Sequence, residues 1–170
     1  DPRVREAVAV LDRMGLSLDL WLYHPQLDEV AALAAAFPNL TIILNHVGSP
    51  ILGGPYRDKL DEVRRDWEAA IRRVAQCPNV FVKLGAVPMR RTGDKNIPPG
   101  SEEVAGAWRP YIEPCIEAFG ADRSMFESNF PVQKRWTSYQ VTWNAFKRIA
   151  SGASDMEKSS LFAGAAAAAY

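Results

Sequence analysis

Thr41-Ile42-Ile43-Leu44-Asn45-His46-Val47-Gly48-Ser49-Pro50 is the stretch that decides how this chain is built. Four of its first five residues are β-branched or aliphatic, which suits a strand covered on both faces, as in a parallel sheet, and Gly48 with Pro50 stops the run. His46 therefore falls at the strand's carboxyl end. In α/β architectures that end carries the ligand, because helices cover the sheet faces and only the strand-to-helix loops are free to converge on a bound molecule.

The same unit recurs on both sides of this stretch. Upstream, an apolar stripe at Val4, Val8, Leu11 and Met14 predicts a helix ended by Gly15, and residues 16–24 (LSLDLWLYH) read as a strand closing on His24 and Pro25. A helix follows through Leu27, Val30, Leu33, Ala34 and Phe37, stopped by Pro38. Downstream, the Gly/Pro loop 47–56 leads into a helix marked by Leu60, Val63, Trp67, Ala70, Ile71 and Val74, with acidic residues near its start and Arg72 and Arg73 near its end. Residues 80–85 predict a third strand, 86–100 a long irregular loop, 101–119 a helix made irregular by Pro110 and Pro114, and 124–129 a fourth strand. Helices over about 139–150 and from Asp155 onward complete the chain, with Ser154 and Glu157 as a capping box. The alanine run 165–169 suits a terminal helix, or a stretch whose side chains were not assigned. Four strand–loop–helix units argue for a parallel sheet with crossover helices, either an open sheet or about half of an eight-stranded barrel. No GxGxxG or P-loop supports the open-sheet alternative.

Composition sets the class of partner. A formal net charge of zero with scattered Lys and Arg offers no field for nucleic acid or an anionic membrane, so a small-molecule substrate is expected. Cys77 and Cys115 form no CxxC, and no stretch is long and apolar enough to span a bilayer, which together give a cytoplasmic expectation. One domain over residues 1–170 is expected. Asp1 is not an initiator methionine, and the opening helix needs something to pack against, so that domain reads as a piece of a larger barrel.

The chain has two histidines, and each closes one of two consecutive strands. Singly, each is equally a loop hydrogen-bonding residue; together they read as imidazoles at one rim, able to bind a divalent metal or act as a base on water. Lys83 is expected to stabilise negative charge, with a salt-bridged lysine as the alternative, and Glu127 and Asn129 to point the same way from the last strand. Tyr56, Met89, Arg90 and Trp136 lie in the loops after strands and are candidate pocket residues, as is Glu127.

LYHPQL, IILNHVGSP, VFVKLG and MFESNFPV, in that order, resemble the C-terminal half of the amidohydrolase-related branch of the amidohydrolase superfamily, which includes sugar lactonases and pyrone-dicarboxylate hydrolases. The resemblance implies a (β/α)8 barrel and hydrolysis of a lactone, or less often of an amide-like bond, by activated water. It implies roles for His24 and His46 as metal ligands or substrate-orienting groups, and places Asn129 where the branch usually has an aspartate. The branch's His-x-His pair is absent, and Asn129 removes a base and a metal ligand. The implied cofactor is therefore a divalent metal such as zinc, or none, as in branch members that work without one. Two other readings stand beside the lactonase: a decarboxylase of the same superfamily, and a non-catalytic half-barrel that binds a ligand or pairs with a second copy as a homo-oligomer.

Overall fold

Ile42, Ile43 and Leu44 are wholly buried, as a strand covered on both faces requires. The computed structural model of the protein describes residues 2–87 and 98–170. Along them run α1 (Pro2–Arg13), β1 (Leu18–Leu20), α2 (Leu27–Ala36), β2 (Ile42–Leu44), α3 (Leu60–Ala75), β3 (Val80–Leu84), α4 (Ser101–Phe119), β4 (Ser124–Phe126), α5 (Tyr139–Ile149), α6 (Asp155–Ser159) and α7 (Ala165–Ala169). The strands pair in chain order and every pairing is parallel, so each intervening helix is a crossover. Pro110 and Pro114 sit within a continuous α4.

The strands are shorter than the apolar runs suggest. β1 covers 18–20 of an expected 16–24, and β4 covers 124–126 of an expected 124–129. The ladder reaches slightly further, since Asn45 donates its N–H to the Leu20 carbonyl at 2.9 Å. Beyond that His46 and Asn129 take positive φ, which no ladder accommodates, and the chain turns out of the sheet.

Alternation along the strands gives the sheet two faces. Ile42, Leu44, Val80, Val82, Leu84 and Phe126 belong to the main core, with Trp67, Trp108 and Ile112 from the crossover helices and Phe146 from α5, while Leu18 and Leu20 pack against it half-buried. Asp19, Ile43 and Phe81 are aligned across the opposite face, where Lys83 is aligned with Met125. There Ile43 and Met125 are covered by Ala165 and Ala169 of α7, so the alanine run lies against the sheet. Small side chains let that helix approach closely. Among the described residues no helix is long and apolar enough to cross a membrane.

Arg123 joins two layers. Its guanidinium donates to the carbonyls of Ala75 (2.9 Å), Cys77 (2.9 Å) and Val80 (3.0 Å), closing the end of α3 and the start of β3, and burial pulls its pKa down. Arg123→Met would leave those carbonyls without a charged donor. Chemical denaturation should show a loss of about 2–3 kcal/mol, as for other hydrogen bonds from a charged group.

Candidate active site

The turn after β2 is built from four consecutive left-handed residues: His46 (φ 57°), Val47 (φ 48°), Gly48 (φ 69°) and Ser49 (φ 41°). Only Gly48 adopts that conformation without cost. The surroundings hold the others. Val47 is fully buried and its carbonyl accepts the Trp67 indole N–H at 2.7 Å. Gly48 is also needed for space, since a Cβ there would lie 2.8 Å from Leu27 Cδ2. The result is that His46 leaves the strand end with its ring turned across the sheet.

There His46 Nδ1 is hydrogen-bonded to Oε1 of Glu127, the residue directly after β4, which is the strand next but one to β2. Gly85, at the end of β3 between them, has no room for a side chain: a Cβ would stand 2.2 Å from the Glu127 carbonyl oxygen. A carboxylate can only accept, so Nδ1 carries the proton and Nε2 of the neutral ring presents a lone pair. That is the tautomer of a general base. Beside it stand Trp21, whose ring centroid is 6.4 Å from that of His46, and Tyr23, 5.9 Å from Trp21. Trp21 is 64% exposed, and its indole N–H donates to Ser49 Oγ at 3.1 Å. Asn45 Oδ1 is buried at the same strand end and has no hydrogen-bond partner among the described residues.

His24 lies beyond the neighbouring strand end, in other company. It is buried, its ring meets Tyr56 edge-on at 5.3 Å, and its Nδ1 accepts the Ile51 N–H at 3.3 Å. With Pro25, Asp28, Tyr56, Asp66, Ala70 and Arg73 it lines a cavity of about 230 Å³ against α2 and α3. Burial lowers the His24 pKa, and the negative charge of Asp66 only partly opposes this. Because the unfolded chain takes up the proton near the ordinary histidine value and the folded chain resists it, His24 should stabilise the fold fully above about pH 6.5 and lose that contribution as pH falls below it. His24→Asn should flatten that part of the stability profile in denaturant titrations at several pH values.

The other predicted residues fall as follows. Lys83 donates to Asp19 Oδ1 at 2.7 Å, and Tyr170 donates its hydroxyl to the same carboxylate at 2.7 Å, so lysine, aspartate and tyrosine form one cluster. Burial disfavours the Lys83 charge, but the bonds to Asp19 and Tyr170 outweigh it and hold the pKa above the ordinary lysine value. Asn129 has φ 49°, which ends the alternation expected to align it with Glu127, and its carbonyl accepts the Gln133 N–H at 2.9 Å. Tyr56 packs on His24, and Trp136 is 55% exposed after the 3-10 turn Val132–Arg135. Met89 and Arg90 lie outside the described residues. Sequence reasoning missed Asp19 and Trp21. The signal for Asp19 was present, as a carboxylate inside an apolar strand needs a partner.

This donor set does not make a metal site. His46 offers Nε2, but Glu127 is engaged by Nδ1, the acceptor at His24 is used by Ile51, and Asn129 brings no carboxylate. No cluster of three His, Cys, Asp or Glu suited to a metal ion occurs among the described residues.

The profile of the amidohydrolase family matches residues 1–170. An uncharacterized protein of Sinorhizobium fredii, y4mH, is 43% identical over 169 residues, which is 99% of this chain and 52% of that protein. An L-fucono-1,5-lactonase of Burkholderia multivorans is 31% identical over 175 residues, covering 100% of this chain and 56% of the lactonase. The chain thus spans about half the length of the curated relatives it matches. A crystal structure of an amidohydrolase from Burkholderia multivorans with bound HEPES superposes with a TM-score of 0.84 at 28% identity, over all of this chain and 58% of that one. A structure of that amidohydrolase with bound zinc gives 0.82 at 26% identity, over 100% and 57%. The four-stranded parallel sheet with its crossover helices is a partial (β/α)8 barrel.

Proposed function

This chain belongs to the amidohydrolase family, and on that premise we propose that its protein is a hydrolase opening a small sugar-like lactone with water activated at His46. The observation that carries the reading is the His46–Glu127 pair, a base with a fixed tautomer at the carboxyl ends of parallel strands. The lactonase relative supports the choice of substrate. Water loses a proton to His46 Nε2 as its oxygen attacks the lactone carbonyl carbon. The tetrahedral intermediate collapses with cleavage of the bond to the ring oxygen, which takes the proton back from the imidazolium, leaving a hydroxy acid. Glu127 balances the imidazolium charge in between. The Asn129 amide supplies donors to the substrate, and Trp21 and Tyr23 offer faces on which an apolar ring side can rest. Lys83, paired with Asp19, ties β1 to β3 on the neighbouring sheet face.

No step here passes through a metal, since the donors among the described residues do not compose a site for one. The test is acid release by the intact protein from a panel of sugar 1,4- and 1,5-lactones, with and without chelator, beside carbon dioxide release from aromatic acids. Lactone hydrolysis that persists in chelator is expected. Carbon dioxide release without lactone hydrolysis would replace this reading with a decarboxylase, and ligand binding without turnover would replace it with a non-catalytic barrel.

A further inference from the structure

We propose that His24 is a positioning residue, whose Nδ1 holds the loop 47–56 by accepting the Ile51 N–H and so keeps His46 turned toward Glu127. The need for such a hold comes from the backbone. Three non-glycine residues in a row of four are left-handed, Val47 among them, a conformation that L side chains disfavour. A turn of that kind persists only where its surroundings specify it. Two of the fastenings come from His24, whose N–H donates to the Ser49 carbonyl at 3.3 Å and whose ring nitrogen takes the Ile51 N–H at 3.3 Å. Trp21 supplies a third at Ser49 Oγ, and Tyr56, at the far end of the loop, closes on the His24 ring.

The chemistry of the ring separates this role from a direct one. With Nδ1 accepting an amide hydrogen, a neutral His24 carries its own proton on Nε2 and has no lone pair left to take a proton from water. Burial keeps the ring neutral, which is the state the bond requires. The ring also lines the cavity beside α2 and α3 with Asp28, Asp66 and Arg73. Both histidines thus close strands, and they divide the labour: His46 acts on the substrate and His24 acts through His46.

This assignment rests on His46 being the base, and it is tested by substitutions that keep one ring nitrogen at a time. Asparagine places its Oδ1 where Nδ1 stood, and glutamine places its amide near Nε2. Hydrogen exchange of the Ile51 amide and the fluorescence of Trp21 are read in His24→Asn, His24→Gln and His24→Ala, with lactone turnover as a further readout. His24→Asn should keep the Ile51 amide protected and turnover within about threefold of the parent. His24→Gln and His24→Ala should exchange roughly tenfold faster at Ile51, as for one lost hydrogen bond, shift Trp21 emission and lose turnover. Activity retained in His24→Gln and lost in His24→Asn would overturn the proposal in favour of a direct role for Nε2. So would an Ile51 amide equally protected in all three. If the alanine variant fails to fold, the asparagine and glutamine variants decide alone. If the parent hydrolyses no lactone, the reading of the reaction fails, while exchange and fluorescence still decide the positioning role.

Discussion

Glu127→Gln is expected to lower lactone turnover by about 10²- to 10⁴-fold with little change in KM. The size follows from what the carboxylate does at His46 Nδ1. It accepts a hydrogen bond there, which sets the tautomer, and its charge offsets the positive charge that arises on the ring when Nε2 takes a proton from water. Glutamine has nearly the same shape but fails on both counts. Its amide can turn its NH2 toward Nδ1, moving the ring proton to Nε2 and removing the base, and even in the other orientation it brings no charge. His46→Ala should fall at least as far. The double variant should be no worse than the weaker single one, because the two residues act as a unit. Steady-state kinetics with the best lactone of the panel would measure this, and turnover within threefold of the parent in Glu127→Gln would remove the pair from the mechanism.

How this site was written in the sequence depends on the kind of signal. The four strand–helix units were legible because periodicity is local: a run such as Ile42–Leu44 and a stripe such as Val63, Trp67, Ala70, Ile71 and Val74 each announce their own structure. The position of His46 at a strand end was legible for the same reason. Its partner was not. Glu127 is 81 residues away, and only the order of the strands, with β3 lying between β2 and β4, brings the two together across Gly85. The two histidines show the converse. Adjacent strand ends suggested one rim and one purpose, yet a ring's surroundings are set by the turn that carries it: His46 leaves through a left-handed turn, and His24 opens the 3-10 turn His24–Gln26 and faces Tyr56. Turn handedness at non-glycine residues is specified by tertiary contacts such as Trp67 to the Val47 carbonyl, so no local pattern announces it. Asp19 and Lys83, 64 residues apart, were each legible as charges in apolar strands that needed partners, but not as each other's.

Gly85→Ala should cost about 2–3 kcal/mol of stability, roughly a 5–10 °C fall in Tm for a chain of this size, and should also abolish hydrolysis. A methyl group there would sit 2.2 Å from the Glu127 carbonyl oxygen and 2.4 Å from its Cγ. Neither neighbour can yield cheaply. The carbonyl belongs to the backbone leaving β4, and the side chain is held by His46, so relief requires moving the segment that carries the carboxylate. The control is Gly106→Ala. Gly106 is exposed within α4, and no neighbouring atom lies within 4 Å of where its methyl group would stand, so alanine there should raise stability by about 0.5–1 kcal/mol through helix propensity and leave turnover untouched. The contrast isolates space from flexibility, since both substitutions remove the same backbone freedom from the unfolded chain. Loss of activity in Gly85→Ala with stability intact would mean that the strand end shifts without strain and that the alignment of Glu127 alone is what the glycine protects. Equal stability and equal activity in both variants would show that the rim tolerates a side chain at residue 85, and the close approach of β3 to Glu127 would then have no part in setting the pair.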